Sequence, residues 1–148
     1  MTALHQCRPA LRKAFLDNPT YVELAPGEHL YKFVSIPIAR DRILQSPWWI
    51  SQATFDDLLT RARRLGKPVA DLARSQMAIA TQWNPGMDTL YIIELVAHVD
   101  AWEGRARSQL VSLTDSTVAF TGGGRQLAVP GLTWRHIGIQ RVGWPPSV

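Results

Sequence analysis

Residues 29–35, His29-Leu30-Tyr31-Lys32-Phe33-Val34-Ser35, follow a Pro26-Gly27 turn signal and alternate in the manner of a half-buried strand. Leu30, Lys32 and Val34 fall on one face, with Tyr31 and Phe33 on the other, so one cationic side chain stands among aliphatic ones. Downstream the period changes. Phe55, Leu58, Leu59, Ala62 and Leu65 recur at helical spacing, with Thr54 as the expected N-cap, Asp57 three residues on and Gly66 as the stop. A second helix is predicted to begin at Pro68 and to carry Val69, Leu72, Ala73, Gln76, Ala80 and Trp83 until Asn84-Pro85-Gly86 breaks it. Beyond that point the chain reads as strands over residues 89–99, 104–113, 117–121, 125–129 and 133–142, punctuated by Gly, Pro, Asp and Ser. Upstream, residues 10–16 suit a short helix ended by Asp17-Asn18-Pro19.

This order of parts predicts a single α+β domain over residues 1–148, with residues 1–25 as a peripheral N-terminal segment. Its sheet is expected to be mixed or antiparallel, with two main helices between an early strand and a strand-rich C-terminal half. A doubly wound parallel sheet is disfavoured, because the last strands leave no room for crossover helices. The length of 148 residues suits one domain, and 46% hydrophobic with 19% charged residues is ordinary globular usage rather than the polar bias of disorder.

Sixteen basic against twelve acidic residues give a formal charge of +4, a field that suits RNA, DNA, a nucleotide or an acidic protein without choosing among them. No apolar run approaches the roughly 20 residues needed to cross a bilayer, and the N-terminal residues lack an export signal's apolar region. With Cys7 as the single cysteine no internal disulfide can form. These features predict a cytoplasmic protein with no membrane partner, although delivery by a signal-independent secretion route is compatible with them. No Cys/His spacing suggests a metal site, and no Gly-x-Ser-x-Gly elbow occurs.

Four groups of residues could carry chemistry. Tyr31, Lys32, Ser46, Trp48 and Trp49 combine a flat stacking surface with groups that bind phosphate, or else the tryptophans form the lid of the core. Glu94 and His98 are expected on one face of a single strand, about 13 Å apart, too far to share a ligand atom. A carboxylate in an apolar strand is either half of an ion pair, with an arginine as partner, or a site residue. Gly122-Gly123-Gly124-Arg125-Gln126 reads as a phosphate-approaching loop or as a plain turn between strands. His136, on the last strand with Trp134 and Gln140, is either a general base or an idle surface histidine.

Taken together, His29-Leu30-Tyr31-Lys32-Phe33, Ser46-Pro47-Trp48-Trp49, the two helices and the glycine-rich turn into Arg125-Gln126-Leu127-Ala128-Val129-Pro130 resemble the order of parts in ADP-ribosyltransferase-like domains of bacterial polymorphic toxins and effectors. The resemblance implies NAD as substrate, and a cognate immunity or antitoxin protein as partner alongside a protein or nucleic-acid target. By position it implies that Lys32 replaces the Arg or His that holds the NAD phosphate or ribose. Ser46 and Trp49, with Tyr31 and Trp48, would belong to the nicotinamide clamp, and Gln126 would fall in the late-strand segment. That strand's catalytic Glu is absent, since no acidic residue follows Asp115, so Glu94 would have to supply the charge. Two other readings stand beside it. One is a metal-independent ribonuclease with His136 or His98 as base and Lys32, Arg125 or Arg135 stabilising the phosphorane; the other is a non-enzymatic immunity or interaction module anchored by the tryptophans.

Overall fold

A computed structural model of the chain describes residues 7, 9–34, 40–76, 89–107, 109–112, 115–120 and 123–143. The elements run α1 (Pro9–Arg12), β1 (Thr20–Leu24), β2 (His29–Val34), α2 (Arg40–Gln45), β3 (Trp48–Ser51), α3 (Gln52–Leu65), α4 (Val69–Gln76), β4 (Thr89–Leu95), β5 (Val99–Arg105), β6 (Gln109–Ser112), β7 (Asp115–Phe120), β8 (Arg125–Ala128) and β9 (Ile137–Gly143). Seven strands form one sheet in the order β1-β5-β8-β3-β2-β4-β9, and β6 pairs with β7 separately. Every pairing is antiparallel, so the expected α+β class is realised in its antiparallel form.

The alternation read in residues 29–35 holds through β2 and divides the core in two. Leu30 and Val34 join Trp49, Ile93, Leu95, Ala101, Leu127 and Val129 on the first face, where Ile43 of α2 closes over them. Tyr31 and Phe33 lie on the second face with Ile50 and Leu90, beneath Phe55, Leu58 and Ala62 of α3 and Val69, Leu72 and Ala73 of α4. Helix α3 shows its expected stripe, except that Leu65 in its last turn is exposed. Its N-cap is Ser51 rather than Thr54: the Ser51 hydroxyl accepts from the Thr54 N–H at 3.2 Å, which moves the start three residues upstream. Gly66 ends the helix as expected, in the left-handed conformation at φ 66°.

Several expected boundaries shift. Residues 89–99 are two strands, because the chain turns at 96–98 between β4 and β5. The segment before β9 is a 3₁₀ turn, Trp134–His136, rather than strand. Trp48 and Trp49 lie in β3, not in a loop. The N-terminal segment expected at the periphery supplies the edge strand β1 and buries Phe15. Ala80, Trp83, Asn84-Pro85-Gly86, Ser35 and Gly122 lie outside the described residues. Among the described residues no helix is long and apolar enough to cross a membrane.

Candidate functional site

Strand β3 sits between β2 and β8, and β4 lies on the far side of β2. Four sequence-predicted site segments therefore occupy four adjacent strands: Gln126 on β8, Trp48 and Trp49 on β3, Tyr31 and Lys32 on β2, and Glu94 on β4. Successive residues of a strand face opposite ways, and this parity sorts the candidates. Lys32 and Trp49 share the first face, whereas Tyr31, Trp48, Gln126 and Glu94 share the second.

On the first face, Lys32 is only 8% exposed. Its Nζ donates to the carbonyls of Ile43 and Ser46, each at 2.7 Å, and stands 4.2 Å from the centroid of the Trp49 ring. Burial pushes its ammonium down to about 7. Two of its three N–H groups are taken by carbonyls and the ammonium is buried against the Trp49 ring, so the expected phosphate-binding lysine is a link between β2 and the α2–β3 connection. Ser46 contributes its carbonyl to that link. Trp49, 1% exposed, is a core residue, and its Nε1 has no hydrogen-bond partner among the described residues.

On the second face, Tyr31 stacks on Phe55 of α3, with centroids 4.4 Å apart and planes within 2°. The ring is spent on packing, and Tyr31 is not an open clamp. Trp48 is half-buried and meets the edge of Phe15 at 5.4 Å. Both Trp48 and Trp102 are cross-strand partners of Ala128, so two indoles flank the strand that begins with Arg125 and Gln126. Gln126 lies diagonally from Trp48, a spacing of roughly 7–8 Å that long side chains bridge. Its direct partner is Gly104, where the Phe15 ring takes the place of a side chain: a Cβ there would fall 2.7 Å from Phe15 Cδ1.

Glu94 pairs with His29, its cross-strand neighbour, at 3.3 Å, and a third of its side chain is exposed. The expected arginine partner is thus a histidine at the end of the sheet. Gln126 is level with Ile50, Tyr31 and Ile92, so Glu94 is only two positions further along the strand axis, but it lies three strands across the sheet from Gln126, roughly 14 Å, and the two do not meet. His98 leaves β4 altogether and binds Glu23 of β1 at 3.0 Å. His136 accepts the Thr133 N–H at Nδ1, 3.0 Å away, which puts the proton of the neutral ring on Nε2 and makes that nitrogen a donor rather than a base.

Sequence reasoning missed Phe15, Trp102, Arg105 and Arg107, which surround the Gln126 end of the sheet. Arg105 and Arg125 are cross-strand partners there, balanced by Asp17 at 2.6 Å and Glu103 at 3.6 Å, and Arg107 Nε donates to the Phe15 carbonyl. The Trp102-Glu103-Gly104 alternation carried a signal, because a glycine facing inward beside an indole marks a place where another ring lies down. Among the described residues no three His, Cys, Asp or Glu side chains converge as a metal ion would require.

No family model matches the sequence, and no curated protein matches it. Among solved structures the chain is similar to one in the complex of Rhs1-CT with its cognate immunity protein RhsI1, with a TM-score of 0.58 and 20% identity over 88% of this chain and 84% of that one. It is also similar to one in the complex of Tne2 with Tni2, with a TM-score of 0.52 and 15% identity over 88% of this chain and 94% of that one. At these identities the likeness is one of fold.

Proposed function

We propose that the chain is a toxin-type effector domain of the ADP-ribosyltransferase-like kind, which acts on NAD at the Gln126 end of its sheet and is held in check by a cognate immunity protein. The observation that carries this reading is the adjacency of β8, β3 and β2. These are the glycine-led late strand, the double tryptophan and the Tyr-Lys-Phe strand, the three parts whose order makes the resemblance. The fold shared with a complex that contains a cognate immunity protein supports the same direction.

In this reading Trp48 offers nicotinamide an aromatic surface, and the Gln126 amide, only 9% exposed, meets the ribose hydroxyls from the floor of the site. Arg105, Arg107 and Arg125 put positive charge at this end of the sheet, Arg105 and Arg125 from the opposite face and each paired with a carboxylate, so they would draw a pyrophosphate through their field rather than as direct ligands. The bond from ribose to the nicotinamide nitrogen breaks, and nicotinamide leaves with the electron pair, so its ring nitrogen becomes neutral. The ribosyl carbon then bonds to an oxygen of water or of a target, whose proton passes to solvent. Glu94 is too distant to stabilise that carbon. Lys32 and Trp49 shape the site from behind, and Tyr31, stacked on Phe55, borders it on the same face.

The test is NAD consumption by the purified chain. Gln126→Ala and Trp48→Ala are each expected to lower turnover on the order of 10²-fold, the size typical of losing one polar or positioning contact in a transition state. A folded chain that leaves NAD intact refutes the reading.

A further inference from the structure

The carbonyls at the C-terminal end of a helix lack intrahelical partners and carry partial negative charge. In α2 one such carbonyl, that of Ile43, is met by the Lys32 ammonium, which also takes the Ser46 carbonyl and lies against the Trp49 ring. One buried cation thus touches the chain at 43, 46 and 49, three points along the passage from α2 into β3. On the far side of that passage the Pro47 carbonyl accepts from Val129 N–H at 2.7 Å, next to β8. Trp48 and Trp49 are consecutive and point to opposite faces, so the seat of Trp49 sets the height of Trp48.

We propose that Lys32 is a positioning residue: its ammonium ties the end of α2 and the Trp49 ring to β2, and so holds Trp48 in register beside Gln126 on the opposite face. Its bearing on NAD turnover rests on the function proposed above, whereas the tie itself does not. No carboxylate among the described side chains faces this ammonium. Arg42 of α2 is exposed, β3 brings only its tryptophan ring, and β4 brings Tyr91, the cross-strand partner of Lys32, whose hydroxyl donates to Gln140 of β9. The carbonyls and the ring therefore favour the charged amine, and burial alone opposes it, bringing its titration to about 7.

Tryptophan emission of the full chain, followed from about pH 6 to about pH 10, tests the tie. The expected result is a step centred near 7 in the unaltered chain. Lys32→Met should lack the step and match the high-pH emission throughout, and Trp49→Phe should lose most of its amplitude. Where NAD is consumed, its KM should rise about tenfold across the same step, with kcat changed less, since the tie sets the stacking surface. A folded Lys32→Met with the unaltered chain's low-pH emission and KM overturns the proposal. If Lys32→Met does not fold, side-chain NMR of the lysines in the unaltered chain decides: Lys32 losing its proton with no accompanying change in emission overturns it, and coincident steps support it. A chain inert toward NAD that still shows the lysine-linked step sinks the proposed function and leaves the tie standing.

Discussion

Lys32 also makes its burial measurable as stability. Its ordinary value is 10.5, and in the fold it titrates near 7. Between those limits the unfolded chain holds the proton and the folded chain has released it, so stability rises with pH across that window by at most about 1.4 kcal/mol per unit. Below the lower limit both states are protonated and the contribution is flat. A urea denaturation series from about pH 7 to about pH 9.5 should show the midpoint climbing, and Lys32→Met should remove most of the slope. The series stops there because Tyr21, raised to about 12 chiefly by its hydrogen bond to Asp100, acts in the opposite direction above its ordinary value of 10: the folded chain keeps a proton that the unfolded chain loses. The sequence placed Lys32 correctly on the aliphatic face of β2, but its role was not legible, since its acceptors are backbone carbonyls that no side-chain pattern announces. Parity was the missed clue for the tryptophans: consecutive residues of a strand cannot both line one clamp, and Pro47 disguised that strand as a loop.

The helices and strands show the same division between what local chemistry declares and what tertiary contacts decide. Both ends of α3 are set by single residues. Ser51→Ala removes the acceptor for the Thr54 N–H and should cost about 1 kcal/mol in denaturant unfolding, while Asp57→Ala, which loses only an exposed pair with Arg61, should cost a few tenths. Gly66→Ala would force a left-handed φ on a residue with a Cβ and should cost about 1 kcal/mol. The sequence announced the stop but not the start, because Ser51 and Thr54 are both good caps and the choice fell to the pairing of Ser51 with Leu30 at the end of β3. The break between β4 and β5 was hidden for a different reason. Val96-Ala97-His98 contains no turn-forming Gly, Pro or Asn, and the chain is bent there by backbone bonds: Gly27 N–H to the Leu95 carbonyl, Leu95 N–H to the Glu28 carbonyl and Val96 N–H to the His136 carbonyl, at 2.8, 2.9 and 2.8 Å. Those partners are distant in sequence, which is why Glu94 and His98 read as one group and belong to two.

The sheet has more second-face area than α3 and α4 cover, and the remainder explains how the N-terminal segment enters the fold. The helices lie over β2, β3 and β4, while β5 and β8 present Trp102, Gly104, Gln126 and Ala128 beyond their reach. Phe15 fills that gap. It is 1% exposed, pairs with Ala106 as an isolated bridge, lies on Gly104 and meets Trp48 edge-on, while Leu16 N–H donates to the Arg105 carbonyl at 2.8 Å. One ring from the start of the chain therefore covers Gly104, the cross-strand partner of Gln126, and packs edge-on with half-buried Trp48. Phe15→Ala should cost about 3–5 kcal/mol, the range for removing a buried aromatic, and Gly104→Ala about 1–3 kcal/mol, because its new methyl meets the same ring. Leu16, its neighbour, is 49% exposed, and Leu16→Ala should stay within about 0.5 kcal/mol. Denaturant midpoints of the three variants check the ordering. Equal losses at Phe15 and Leu16 would mean that the segment adds only bulk apolar area, whereas a loss confined to Phe15 and Gly104 makes this ring-on-glycine contact the second lid of the sheet. In that case the loss at Phe15→Ala should appear in NAD turnover as well as in stability, since the ring that seals the core also braces Trp48.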